Sequence, residues 1–146
     1  MDKEQMKQLV IAQVDKDREA ILALGREIYQ HPETGYREVR TTETLAKALE
    51  GLGLPVDRDI AVTGCRAYAN QDKSGPKVAV MGELDSVVCH NHPDCDPSTG
   101  AVHACGHNIQ VSVMYGVASA LIHSGVMKEL DGRVDFMAVP AEEYIE

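Results

Sequence analysis

Seven side chains of ligand or acid–base type fall into three short clusters. Glu83 and Asp85 form the first, His103, Cys105 and His107 the second, and Glu142 and Glu143 the third. Cys105 and His107 are two apart, and in extended backbone residues i and i+2 share a face. Gly106 between them permits a tight bend and close approach. A thiolate and an imidazole so placed make a good transition-metal pair. The carboxylate of Glu143 extends the pair to a mixed S/N/O set, which leaves Zn²⁺, Mn²⁺ and Co²⁺ open. Glu142, next in the chain, could then act as general base on a water that the metal activates. A second chemistry competes with this one. Cys89, His90, His92, Cys95, His103, Cys105 and His107 fall within 19 residues and could hold a structural zinc without catalysis. The spacing Cys89-x5-Cys95-x9-Cys105 departs from the usual C-x2–4-C pairs. A metal on all three of these cysteines would favour the structural role. A metal on Cys105, His107 and a C-terminal Glu would favour an enzyme. His103 alone stands open between ligand, substrate contact and loop hydrogen bonding. Cys65 reads as a small buried hydrophobe, and His31 and His123 as turn and surface residues. Glu146 and the charges of the first helix read as solvated.

The clusters can meet only if the elements between them allow it. Residues 3–30 carry Met6, Val10, Val14, Ile21, Leu24 and Ile28 at helical spacing, with charged residues on the other face. Pro32 ends that helix. A second helix is expected over 42–52, with Leu45, Leu49 and Leu52 on one face. Short strands follow at 56–61 and 65–69. The apolar run 77–82 reads as a strand buried on both faces. Residues 87–100 read as a long loop, and 106–127 as a deeply buried helix with little polar face. A last strand is expected at 132–139, closed by Pro140. The final two strands are joined by a long helix, so they should be parallel. The predicted class is α/β, with helices on both faces of a mixed, partly parallel sheet. In such sheets ligands bind at the carboxyl ends of the strands. Glu83 and Asp85 lie past one such end, Glu142 and Glu143 past another, and the His/Cys cluster opens the connecting helix. All seven side chains should therefore share one rim.

The 146 residues are 44% apolar and 25% charged, a globular composition that excludes a wholly disordered or fibrous chain. With one Phe, five Tyr and no Trp, the core must be aliphatic. The net charge of −9 argues against binding nucleic acid or coating an anionic membrane. Met1 to Lys7 is charged, and no signal-type apolar region follows it. No apolar run approaches the roughly 18 residues of a membrane span. The four cysteines in a chain with this much aliphatic core suggest reduced thiols and a cytoplasmic setting.

From about residue 20 to 146 the chain resembles the M20 family of metallo-amidohydrolases and peptidases. His31-Pro32-Glu33-Thr34-Gly35-Tyr36 is similar to the family's HPE-x-G-[YF] segment, and Gly64 to the glycine of its TG turn. Gly82-Glu83-Leu84-Asp85-Ser86-Val87 resembles its GH-x-D-x-V motif, with Glu83 where many members have a histidine ligand. His103-Ala104-Cys105-Gly106-His107-Asn108 matches HACGH[DN] of the aminoacylase-like subgroup, and Pro140-Ala141-Glu142-Glu143 matches PAEE. The last two motifs in that order are the specific signal. Asn108 and the Gly82-Glu83-x-Asp85 form lean toward the aminobenzoyl-glutamate hydrolase and related dipeptidase branch. The resemblance implies a zinc-peptidase-like fold. It implies Cys105, His107 and Glu143 as metal ligands, Glu142 as catalytic base, and Asp85 as a residue that orients a ligand. It also implies a divalent-metal enzyme, with two ions per full-length site. Such an enzyme hydrolyses the amide bond of an N-acyl amino acid or dipeptide-like substrate and works as a homo-oligomer. Members carry a longer catalytic domain, further histidine ligands after PAEE, and an inserted lid and dimerisation domain. The expectation for residues 1–146 is thus the metal-binding N-terminal part of a catalytic domain, without the lid and inactive by itself.

Overall fold

In the computed structural model the described residues are 1–144, so Glu146 lies outside them. Helix α1 spans Lys3–Gln30 and opens on a capping box. Asp2 accepts from the Gln5 backbone N–H at 2.9 Å, and the Gln5 side chain accepts from the Asp2 N–H at 3.0 Å. Helix α2 spans Val39–Gly51 and so begins three residues before the apolar pattern suggests. The reason lies outside the helix. Its N-cap, Glu38, makes no side-chain cap bond, but the Glu33 carboxylate accepts from Arg40 N–H at 3.1 Å and Thr41 N–H at 2.7 Å. A side chain from the preceding turn thus satisfies first-turn donors that local capping would otherwise serve.

Four strands form the main sheet in the order β1 (Val56–Ile60), β2 (Gly64–Ala69), β6 (Arg133–Val139), β3 (Lys77–Glu83). β1–β2 and β2–β6 are antiparallel. β3 and β6 are parallel in unbroken register from Lys77↔Arg133 to Glu83↔Val139. Helix α3 (His107–His123) makes the crossover between them, as the interleaving of elements predicts. The long loop expected at 87–100 is bounded by a two-residue ladder, β4 (Val87–Val88) against β5 (Ala101–Val102), too short to leave a periodic signal. The helix expected to reach 127 ends at His123. Gly125, at φ +77, then opens a 3₁₀ turn over Val126–Glu129.

Alternate residues of the inner strands point to one core. Cys65, Ala67 and Ala69 of β2 and Val134, Phe136 and Ala138 of β6 pack with Leu45 and Leu49 of α2 and Val111, Met114 and Ala118 of α3. α1 lies on α3, where Leu24 and Ile28 join the same core. The sheet is mixed and partly parallel as expected. The described helices cover one of its faces. The other carries Arg66, Tyr68, Asp135 and Met81, and no described helix lies over it. This corrects the reading of 77–82 as buried on both faces. β3 is an edge strand, and Val78 and Met81 are 55% and 58% exposed. Gly82 is the exception on β3. A Cβ there would stand 3.2 Å from Val111 Cα, so glycine lets α3 settle onto the strand end that carries Glu83.

Candidate metal centre

β3 and β6 run parallel and end together, which sets the Glu83–Asp85 segment beside the Ala141–Glu143 turn. α3 starts above the same rim, because Gly106 at φ +92 turns the chain sharply just before His107. The clusters meet at His107, which is 3% exposed. Its Nδ1 lies 2.8 Å from the Asp85 carbonyl oxygen, so Nδ1–H donates there. Nε2 then faces carboxylates: Glu83 at 2.8 Å, Glu142 at 3.6 Å and Glu143 at 3.8 Å. A neutral ring in that tautomer directs a lone pair at anionic oxygens. The arrangement is favourable only with a cation between them, a proton or a metal.

Among the described residues two donor sets have their ligand atoms within 4.8 Å of one another, Cys105–His107–Glu143 and Glu83–His107–Glu142. The first offers sulfur, nitrogen and oxygen, a combination suited to a borderline divalent ion. Cys105 lies at the surface, yet partial desolvation pushes its thiol up. A backbone N–H from His107 opposes the rise, while the Glu143 and Asp85 charges add to it. A metal would reverse this balance by stabilising the thiolate. The donors present therefore fit a divalent cation. Both sets draw on His107 Nε2, whose single lone pair serves one ion. A second ion needs another donor in its place.

Asp85 is fully buried. Its Oδ2 accepts from Glu143 N–H at 2.8 Å, and its Oδ1 stands 3.2 Å from His107 Nδ1. One carboxylate thus touches both of the flanking clusters. His103 is 3% exposed with neither ring nitrogen hydrogen-bonded. Burial, with help from His107, pushes its pKa down to about 4. It lies close enough to feel His107 and Asp85, but nothing in the structure explains why a histidine stands there. The loop residues Cys89, His90, His92 and Cys95 join neither donor set. Cys65 is buried, and desolvation pushes its thiol up to about 11, as a core cysteine should be.

The sequence reading assigned no role to the 33–38 segment, and here it braces both acidic turns. The Glu33 carbonyl accepts from Ser86 N–H at 2.8 Å and Ser86 Oγ at 2.9 Å, next to Asp85. Gly35 packs against Ala141 so closely that a Cβ would lie 3.0 Å from that residue's own Cβ. Tyr36 and Tyr144 meet edge to face at 5.4 Å. Glu38 Oε1 accepts from Ala141 N–H at 2.8 Å. These contacts span from 53 to over a hundred residues of sequence and leave no local pattern.

Beside the donor sets runs a cleft of about 940 Å³, lined by Thr34, Gly35, Arg37, Ser86, Val88 and Thr99. Asp85 and Glu143 line it, and among the described residues Arg37 is its one cationic lining residue. A smaller hollow of about 420 Å³, between Glu33, Arg40 and Lys47, holds none of the seven clustered side chains. Among the described residues no helix is long and apolar enough to cross a membrane.

No family model matches the chain. Individual proteins do. An IAA-amino acid hydrolase of Arabidopsis thaliana is 30% identical over 126 residues, covering 84% of this chain and 28% of that protein. An N-acetylcysteine deacetylase of Bacillus subtilis is 30% identical over 127 residues, covering 84% of this chain and 33% of that protein. Among solved structures, a dinuclear metal-binding peptidase of the M20 family from Bacillus subtilis superposes with a TM-score of 0.75 at 28% identity, over 88% of this chain and 37% of its own. The chain thus spans about a third of the length of the relatives it matches. The shared fold, the sequence likeness and the motifs at the sheet rim agree: over this part the chain is similar to the M20 family of metallo-amidohydrolases and peptidases.

Proposed function

We propose that this chain forms the metal-binding part of a site that hydrolyses the amide bond of an N-acyl amino acid or dipeptide-like substrate. The observation that carries the reading is the convergence of Cys105, His107 and Glu143 donors within 4.8 Å at the carboxyl rim of the parallel strands. The names of the relatives, hydrolases and deacetylases of acylated amino acids, support the substrate class. Cys105, His107 and Glu143 would hold a divalent ion such as Zn²⁺, Mn²⁺ or Co²⁺. When bound, that ion supplies Lewis acidity, polarising the amide carbonyl and lowering the pKa of water. Glu142 takes the proton of the attacking water and passes it to the leaving amine. Its exposure supports that division of labour: the Glu142 side chain is 51% exposed against 32% for Glu143, so Glu142 is the more open to water. Asp85 fixes the Glu143 backbone and flanks His107, as a positioning group should. The cleft leads to Asp85 and Glu143, and the Arg37 cation on its wall suits a substrate carboxylate. Both described donor sets draw on His107, so together they hold one ion at full strength. The isolated chain should therefore bind metal weakly and turn over little.

Equilibrium dialysis with Zn²⁺ tests the assignment. Cys105→Ala should lose metal, and Glu142→Gln should keep it. In a chain of the relatives' length carrying this segment, Glu142→Gln should also lose about 10²- to 10⁴-fold in turnover of N-acetyl amino acids. Equal metal loss in both variants would show that Glu142 is a ligand rather than the base.

A further inference from the structure

Glu38 supplies no donor to either metal set, yet it is the carboxylate most committed to the turn that carries Glu142 and Glu143. It is fully buried. Its oxygens are divided between two partners. Oε2 accepts from Thr63 Oγ1 at 2.5 Å, and Oε1 accepts from Ala141 N–H at 2.8 Å. Ala141 holds φ +57, a left-handed conformation that a residue with a Cβ adopts only at a cost. An external bond to its N–H holds it there, and the next two residues are Glu142 and Glu143. On the far side of the turn, Asp85 Oδ2 takes the Glu143 N–H. The turn is therefore suspended between two fully buried carboxylates, one from each flanking segment. An apolar side chain at 38 would leave the Ala141 N–H and the Thr63 hydroxyl without an acceptor, and each such loss is costly.

We infer that Glu38 is a positioning residue of the metal centre: through the Ala141 N–H it fixes the left-handed turn and so sets where the Glu142 and Glu143 carboxylates stand. The inference rests on the metal-site reading above and acts through Glu143, not through any contact with the ion.

That indirect action gives the test. Co²⁺ is titrated into the chain, and the thiolate-to-cobalt charge-transfer band reports binding. Glu38→Ala should weaken binding by about 10- to 100-fold, as removal of outer-shell partners typically does. Glu143→Ala should weaken it similarly. The double variant should bind no more weakly than Glu143→Ala, because Glu38 has nothing to position once that ligand is gone. Additive losses, or a Glu38→Ala chain that binds as the wild type does, would overturn the inference. Thr42→Ala serves as the control for general loosening. It removes the buried Thr42 Oγ1 bond to the Thr63 carbonyl, 2.6 Å long, from the same neighbourhood. It should lower thermal stability and spare the cobalt affinity, and a loss equal to that of Glu38→Ala would refute a positioning role.

If Glu38→Ala does not fold, two gentler variants decide. Glu38→Gln keeps an amide oxygen for the Ala141 N–H and should bind within a few fold of wild type. Glu38→Asp is one methylene short of Ala141 and should bind more weakly than the Gln variant. The reverse order would overturn the inference. A wild-type chain with no charge-transfer band would overturn the metal reading, and this inference with it. A band indifferent to Glu38 would overturn this inference alone.

Discussion

At the scale of single residues, the site is an electrostatic problem that a cation solves. His107 is held by its Nδ1 to the Asp85 carbonyl, and Nε2 is left facing Glu83, Glu142 and Glu143. Asp85 is buried among these charges, and its stake is the geometry of its neighbours. Its Oδ2 carries the Glu143 N–H, so truncation frees the Glu143 backbone and one side of His107. Asp85→Ala should therefore weaken Zn²⁺ binding about 10- to 100-fold in a competition assay with a colorimetric chelator. Asp85→Asn keeps an acceptor for that N–H and should lose less. Equal losses would mean that charge, rather than the hydrogen bond, is what Asp85 provides.

At the scale of elements, the parallel pair β3–β6 and the crossover α3 carry the clusters, and α1 secures α3 from above. A polar pin adds to their apolar packing. Asp17 of α1 accepts from Ser119 Oγ and lies 2.9 Å from His123 Nδ1, both on α3, while Gln13 donates to it at 3.0 Å. Burial raises the Asp17 pKa, but the bonds from Ser119, His123 and Gln13 outweigh it and hold the carboxyl below its ordinary value. A carboxylate depressed in the fold contributes stability that is full above its unfolded pKa, near 3.8, and is lost as pH falls through the lower folded value. Asp17→Ala should cost about 1–3 kcal/mol at neutral pH, because Ser119, His123 and Gln13 lose their shared acceptor and Ser119 keeps only the 3.3 Å approach of His123 Nδ1. Urea midpoints should show that gap constant above about pH 4 and narrowing below it. A gap that widens with acid would contradict the pin. These elements were legible in the sequence to different degrees. α1 and the β3–α3–β6 unit read directly, because periodicity and apolar runs are local signals. The start of α2 did not, since its first turn is capped by Glu33 from outside the helix. β4 and β5 did not, being two residues each. The clusters read through their residue types and spacing. Residues 33–36 of the brace were visible only as part of a motif and Glu38 not at all, because the bonds to Ser86 and Ala141 are set by tertiary folding.

At the scale of the whole molecule, the described helices α2 and α3 cover one face of the main sheet, α1 packs on α3, and the edge strand β3 is bare outward. Val78 and Met81 on β3, and Ile109 and Val113 on α3, are each more than half exposed. The charge of −9 opposes association but is screened at ordinary salt. The chain should therefore self-associate, increasingly with added salt, and Met81→Glu with Val113→Glu should shift sedimentation profiles toward the monomer. A monomeric wild type at all salt concentrations would refute this. The central claim is that the metal sits on Cys105 and His107 with the C-terminal carboxylate, rather than on the cysteines of the 89–95 loop. Its most direct test is the electronic spectrum of the Co²⁺-loaded chain across single cysteine variants. The account predicts a thiolate-to-cobalt band that persists in Cys89→Ala and Cys95→Ala and disappears in Cys105→Ala. A band that survives Cys105→Ala and is lost with Cys89 or Cys95 would contradict it, and would make the loop a structural metal site.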